Sequence, residues 1–104
     1  MAFYSMADPN TAFDYIVENM NETMLNDAHI PFGDMLDLYG MKMQATEGDC
    51  TGERPPKLRV KERAKYDAWC RISEKHWTTA ETKKAFVDKV KALNLDAQID
   101  EDFV

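Results

Sequence analysis

The sequence predicts an all-α domain, a four-helix bundle with a long loop between its second and third helices. Three observations predict it. Prolines occur only at positions 9, 31, 55 and 56, so they divide the chain into long uninterrupted segments. Within those segments, apolar residues recur at the i, i+3, i+4, i+7 spacing of a helix face. Strand-like alternation of any length is missing, as are internal repeats and low-complexity tracts. Successive amphipathic helices bury their stripes by packing on one another, which is the bundle architecture.

The first helix is expected over Thr11 to Met24. Ala12, Phe13, Ile16, Val17, Met20 and Met24 fill one arc, with Glu18, Asn21 and Glu22 outside it. Asn26 to His29 read as a polar turn, and Pro31 suits the first position of the next helix. The second helix should run from Phe32 to Glu47 and end at Gly48, a natural C-terminal glycine. Its apolar arc holds Met35, Leu36, Leu38, Tyr39, Met41, Met43 and Ala45, and Lys42 projects into the middle of that arc.

A loop from Asp49 to Arg59 follows, stiffened by Pro55-Pro56, and loops of that length are often functional. The third helix is expected over Val60 to Ser73. Ala64, Tyr66, Ala68, Trp69, Cys70 and Ile72 form its apolar side, and Arg63, Asp67, Arg71 and Glu74 face water. Lys61 and Lys65 fall within the apolar arc. Thr78-x-x-Glu81 reads as a capping box that opens the fourth helix. Phe86, Val87, Val90 and Leu93 give that helix its seam, with its end near Leu95. The chain is therefore one domain over 1–104, with a core from about 11 to 95 and an acidic C-terminal tail over 96–104, where Ile99 and Phe103 have local packing to make.

Charge narrows the function. The chain has 13 basic and 19 acidic residues, a net charge of −6. Between Arg54 and Lys65, six bases (Arg54, Lys57, Arg59, Lys61, Arg63 and Lys65) meet one acid, Glu62, a local charge of +5 that leaves −11 for the remainder. A basic patch on an acidic body points to a local anionic partner, and the surrounding negative charge argues against an extended nucleic acid. No apolar run approaches the roughly 20 residues that span a bilayer. Met1 to Asn10 lack both a basic n-region and an apolar h-region, which predicts no signal peptide and a cytoplasmic location. On that expectation Cys50 and Cys70 are reduced thiols, and the Asn21-Glu22-Thr23 sequon is accidental. Cys70 and His76 are six apart and do not face each other, so no Cys/His catalytic pair is expected. The histidines and cysteines have no zinc-type spacing, and no glycine-rich phosphate loop occurs. The chain is read as a non-enzyme without cofactor or metal.

The misplaced lysines carry the ligand argument. Lys42, Lys61 and Lys65 sit where the period predicts apolar contact. Snorkelling of long stems is the ordinary explanation. Lys61 and Lys65 also lie in the first turns of their helix, where the macrodipole disfavours cations. A bound phosphate relieves both conflicts, and Tyr39, Tyr66 and Trp69 offer aromatic faces to a base. Met-lined arcs adapt to a flexible apolar ligand.

Leu38-Tyr39-Gly40, Gln44-Ala45-Thr46-Glu47-Gly48-Asp49, Glu53-Arg54-Pro55 and Ala64-Lys65-Tyr66-Asp67-Ala68-Trp69, in this order and spacing, resemble the acyl-CoA-binding protein family. The likeness extends from about Phe13 to Leu93. The resemblance implies a four-helix bundle that carries long-chain acyl-CoA esters in the cytosol without catalysis. It also implies that Tyr39 contacts the nucleotide, that Lys65 holds the 3′-phosphate end, and that Met35 and Leu36 touch the acyl chain. The chain is expected to act as a monomeric carrier and buffer, with at most transient membrane contact.

Departures from the family pattern sharpen these expectations. The usual Tyr-Lys-Gln reads Lys42-Met43-Gln44, which replaces an adenine-stacking aromatic and a phosphate lysine. Phe86 stands at a common nucleotide-side tyrosine, Tyr66 replaces a common tryptophan, and the second helix begins Pro31-Phe32-Gly33-Asp34 without the usual polar cap. The candidate ligand residues are therefore Met35, Leu36, Tyr39, Lys42, Met43, Lys61, Lys65 and Phe86, with Lys42 expected to compensate in part for Met43. The alternative is a helical interaction protein of the same fold whose acyl-CoA binding is weakened or lost. Within the basic stretch, Arg54 is read as a loop anchor and Lys65 as the main ligand residue.

Overall fold

A computed structural model describes residues 9–20 and 29–93. Four helices make up the described chain: α1 (Pro9–Asn19), α2 (Phe32–Glu47), α3 (Val60–Ser73) and α4 (Thr79–Ala92). No strand occurs among the described residues. α2 is central, packing on both α3 and α4, while α1 packs on α4.

The core is the meeting of the predicted stripes. Ala12, Phe13 and Ile16 of α1, Leu38 and Met41 of α2, Ile72 of α3, and Phe86, Val87 and Val90 of α4 form one buried cluster. Phe13 and Phe86 lie edge to face, with ring centroids 5.0 Å apart at 72°. Full burial of a large apolar side chain contributes roughly 1.5–3 kcal/mol, so this cluster is the main source of cohesion. Thr82 is fully buried beside it, and its hydroxyl donates to the Thr78 carbonyl at 2.9 Å. An ionic tie adds to the apolar contact between α2 and α4: Lys89 Nζ lies 2.7 Å from Asp34 and 3.6 Å from Asp37. The hydrogen bond to Asp34 raises the Lys89 pKa above its ordinary value.

Local signals placed both ends of α2 and α3 and the start of α4, while the ends of α1 and the end of α4 differ from expectation. The capping box forms: Thr78 Oγ1 accepts from the Glu81 N–H at 3.1 Å, and the Glu81 carboxylate accepts from the Thr78 N–H at 2.8 Å. α2 stops at Gly48, whose φ of 87° favours glycine and whose N–H donates to the Gln44 carbonyl at 3.1 Å. α1 begins two residues earlier than expected, because proline is tolerated in a first helical turn. It ends at Asn19, with the Met20 N–H still donating to the Ile16 carbonyl at 2.8 Å. α4 ends at Ala92, short of Leu95, with Leu93 as its cap. Met24, the turn before His29, the sequon and the tail over 96–104 lie outside the described residues.

α2 and α3 run parallel. Tyr39 meets Lys65, Gly40 meets Ala68, and Gln44 meets Ser73, so residue numbers increase together along the seam. Gly40 sets how closely the two helices approach: a Cβ there would lie 2.7 Å from the Ala68 carbonyl oxygen. A parallel pair needs a connection that travels the full helix length back, which is why the loop from 48 to 59 is long.

Candidate functional site

The return loop is fastened to α3 along its course. Trp69 Nε1–H donates to the Gly48 carbonyl at 2.8 Å, and the Tyr66 hydroxyl donates to the Gly52 carbonyl at 2.9 Å. Gly52 has φ 88°, a conformation that favours glycine. Arg54 grips Asp67 with both ends of its fork, at 2.8 and 2.7 Å, as its reading as a loop anchor expects. That hydrogen bond holds the Asp67 carboxyl below the usual range and raises the Arg54 guanidinium. Gln44 donates to Asp49 at 2.9 Å and accepts from the Ser73 hydroxyl, which in turn accepts from the Cys50 N–H at 2.9 Å.

Cys50 and Cys70 are joined in a disulfide, with Cα atoms 5.2 Å apart. This corrects the expectation of reduced thiols. Pairing required knowledge that the loop folds back along α3, which a separation of 20 residues does not reveal.

With the loop accounted for, the remaining face of the α2–α3 pair is the candidate site. Lys65 Nζ stands 5.4 Å from the Tyr39 ring centroid, and both residues are half-buried. A cation over an aromatic face is attracted by the ring quadrupole and keeps N–H groups available for an anion. Met35 and Leu36, one turn earlier on α2, are half-buried, as is Met43 one turn later. Lys61 lies one turn before Lys65 and is exposed.

Three expected placements change. Lys42 is exposed rather than set among apolar neighbours, and Lys61 likewise stands in solvent, so Lys65 alone is the half-buried lysine of the three. Helix phase errs by about 100° for each residue of misjudgement, enough to move Lys42 off the arc. Phe86 is 0% exposed and is spent on the core against Phe13, leaving no surface for a ligand. Tyr66 and Trp69 commit their polar tips to the loop and pack edge to face, centroids 6.2 Å apart.

Among the described residues no group of histidine, cysteine, aspartate and glutamate side chains could hold a metal, and no helix is long and apolar enough to cross a membrane. An open pocket of about 250 Å³ lined by Asn10, Ala80, Glu81 and Lys84 involves neither α2 nor α3.

Residues 10–90 match the family model described as Acyl CoA binding protein. An acyl-CoA-binding protein of Brassica napus is 45% identical over 60 residues, which cover 58% of this chain and 63% of that protein. An acyl-CoA-binding protein of Ricinus communis is 40% identical over 58 residues, covering 56% of this chain and 62% of that protein. The chain thus spans somewhat less than two thirds of the length of these curated relatives. The crystal structure of Oryza sativa acyl-CoA-binding protein 2 superposes with a TM-score of 0.65 at 29% identity, covering 90% of this chain and 96% of that one.

Proposed function

The chain belongs to the acyl-CoA-binding protein family, and from that premise we propose that it binds long-chain acyl-CoA thioesters as a soluble carrier and buffer. The observation that carries this reading is the half-buried Lys65 held over Tyr39 on a parallel helix pair. Lys65 offers a charge-assisted hydrogen bond to a CoA phosphate, and Tyr39 offers a ring face to the nucleotide. Met35 and Leu36 supply apolar contact for the acyl chain, with Met43 beside the nucleotide and Lys61 as a second, solvated cation. The protein acts as a monomer, without catalysis, cofactor or nucleic acid, and its membrane contact is transient.

Titration calorimetry with acyl-CoAs of graded chain length tests this, with micromolar or tighter binding expected. Removing a charged hydrogen bond costs about 1.5–3 kcal/mol, so Lys65→Ala should weaken binding roughly tenfold or more. Lys42→Ala should produce a smaller loss, through a long side chain reaching sideways for the lysine absent at 43. An unchanged affinity removes Lys42 from the site.

A second reading, an interaction protein of the same fold with weakened ligand binding, is favoured by the burial of Phe86 together with methionine at 43. Absence of heat at high protein concentration selects it. The proposed cytoplasmic location meets one opposing observation, the Cys50–Cys70 bond, since disulfides persist mainly in oxidising compartments. Thiol trapping in lysates of the native cells decides: blocked free thiols support the cytoplasm, and a protected pair points elsewhere.

A further inference from the structure

We propose that the shared N-terminal end of α2 and α3 is a docking surface for anionic phospholipid bilayers. Among the described residues, the exposed large hydrophobics are Phe32 at 48%, Leu58 at 95% and Val60 at 68%. All three sit at the N-terminal end of the α2–α3 pair. The contact of Tyr39 with Lys65 fixes the parallel register. From there, at a rise of about 1.5 Å per residue, Phe32 lies about 10 Å toward the α2 N-terminus and Val60 about 7.5 Å toward that of α3. Leu58 immediately precedes α3.

The apolar residues are interleaved with cations. Lys57, Arg59 and Lys61 alternate with Leu58 and Val60, and all three are exposed. None of them enters an ion pair among the described residues, whereas the neighbouring Arg54 is committed to Asp67 and Arg63 reaches the Pro55 carbonyl. Among the described residues, the acids closest in sequence to this end are Glu53 and Glu62, both exposed, and Asp34, which is bound to Lys89. Two parallel helices also bring the positive ends of their dipoles to this end.

Apolar side chains standing in water between unpaired bases match an interface that is anionic at its headgroups and apolar just beneath. A nucleic acid would use the bases and leave Leu58, Val60 and Phe32 exposed. It would also wrap toward the −11 carried by the rest of the chain, while a bilayer meets only the one end. The inference deepens the carrier reading by naming where cargo would be exchanged, since Met35, Leu36 and Lys61 lie within about a turn of this end, and it rests on that reading for its purpose.

Cosedimentation with phosphatidylcholine–phosphatidylserine vesicles, without any CoA ester, separates this test from the ligand titration. Binding is expected at low salt, weakened by salt and absent from pure phosphatidylcholine. Each base near an anionic surface contributes about fivefold, so Lys57→Gln with Arg59→Gln should lower partitioning roughly thirtyfold. Leu58→Asn with Val60→Asn, which keeps every charge, should lower it roughly tenfold. Circular dichroism confirms that each variant keeps its helices. No binding to phosphatidylserine vesicles overturns the proposal. Partitioning unchanged by the Leu58 and Val60 substitutions also overturns it, as does equal affinity for single-stranded DNA, because either marks general polyanion attraction.

Discussion

The α1–α4 side and the α2–α3 side of this bundle are held together by different means. On the first, Phe13, Ile16, Phe86, Val87 and Val90 are buried to within 2% and interlock apolar surface. On the second, a glycine lets two backbones touch, and a disulfide, a forked Arg54–Asp67 pair and a series of side-chain bonds to loop carbonyls complete the fastening. Apolar burial consumes the side chains that perform it. Fastening through loop and backbone leaves Met35, Leu36, Tyr39 and Lys65 only half-buried and open to a ligand. The stable half and the candidate binding half are thus distinguished by what their cohesion spends.

If that contrast holds, perturbations should divide accordingly. The largest effect is expected from Phe86→Ala, which opens a cavity against Phe13 and should cost about 3–5 kcal/mol in denaturant unfolding. A cost below about 1 kcal/mol would mean that the α1–α4 side is not the cohesive one. Next comes Cys70→Ser or reduction. For a loop of 20 residues, the chain-entropy relation gives a loss of about 3 kcal/mol in the unfolding midpoint analysis. Helical circular dichroism should be retained, because Trp69, Tyr66 and Arg54 still hold the loop.

Gly40→Ala should cost about 1–3 kcal/mol by forcing α2 from the Ala68 carbonyl, although alanine is the better helix former. Its distinguishing readout is acyl-CoA affinity, which should fall with the displaced Tyr39–Lys65 pair while Phe86→Ala, at temperatures where it remains folded, leaves affinity near that of the parent.

The smallest effect is electrostatic. Asp67 has its pKa lowered by the hydrogen bond from Arg54, so its contribution is present above the ordinary carboxyl pKa of 3.8 and is lost as pH falls through the lower folded value. Lys89 has its pKa raised by Asp34, so its contribution is present below 10.5 and is lost only as pH rises through the higher folded value. Asp67→Asn should therefore flatten the acid limb of a urea-midpoint profile below pH 3.8 and leave the alkaline limb unchanged. An altered alkaline limb would show that the two pairs are coupled across the bundle.

Much of the fold was legible because helix signals are local. Thr78 and Glu81 announce their capping box from within a single turn, and Gly48 stops α2 where the apolar period ends. The bounds of α2 and α3 agree with the periodicity to the residue. The candidate site was legible in kind and less so in detail. Arg54 was assigned its anchoring part correctly. Lys42 was aimed by phase, which cannot tell an arc that faces a helix from one that faces water, whereas Phe86 was aimed at the ligand by the family pattern although its own phase had set it in the core seam where it lies.

The sequence by itself determined which segments are helical, how they are capped, and which family motif they carry, since each depends on residues within a few positions of one another. Only the tertiary structure decided that α2 and α3 lie parallel. From that follow the pairing of Lys65 with Tyr39, the closure of Cys50 on Cys70, and the gathering of Phe32 with Leu58 and Val60 at one end. The Tyr39–Lys65 and Cys50–Cys70 contacts join residues 20 or more positions apart, on a helix pair whose approach is set by Gly40.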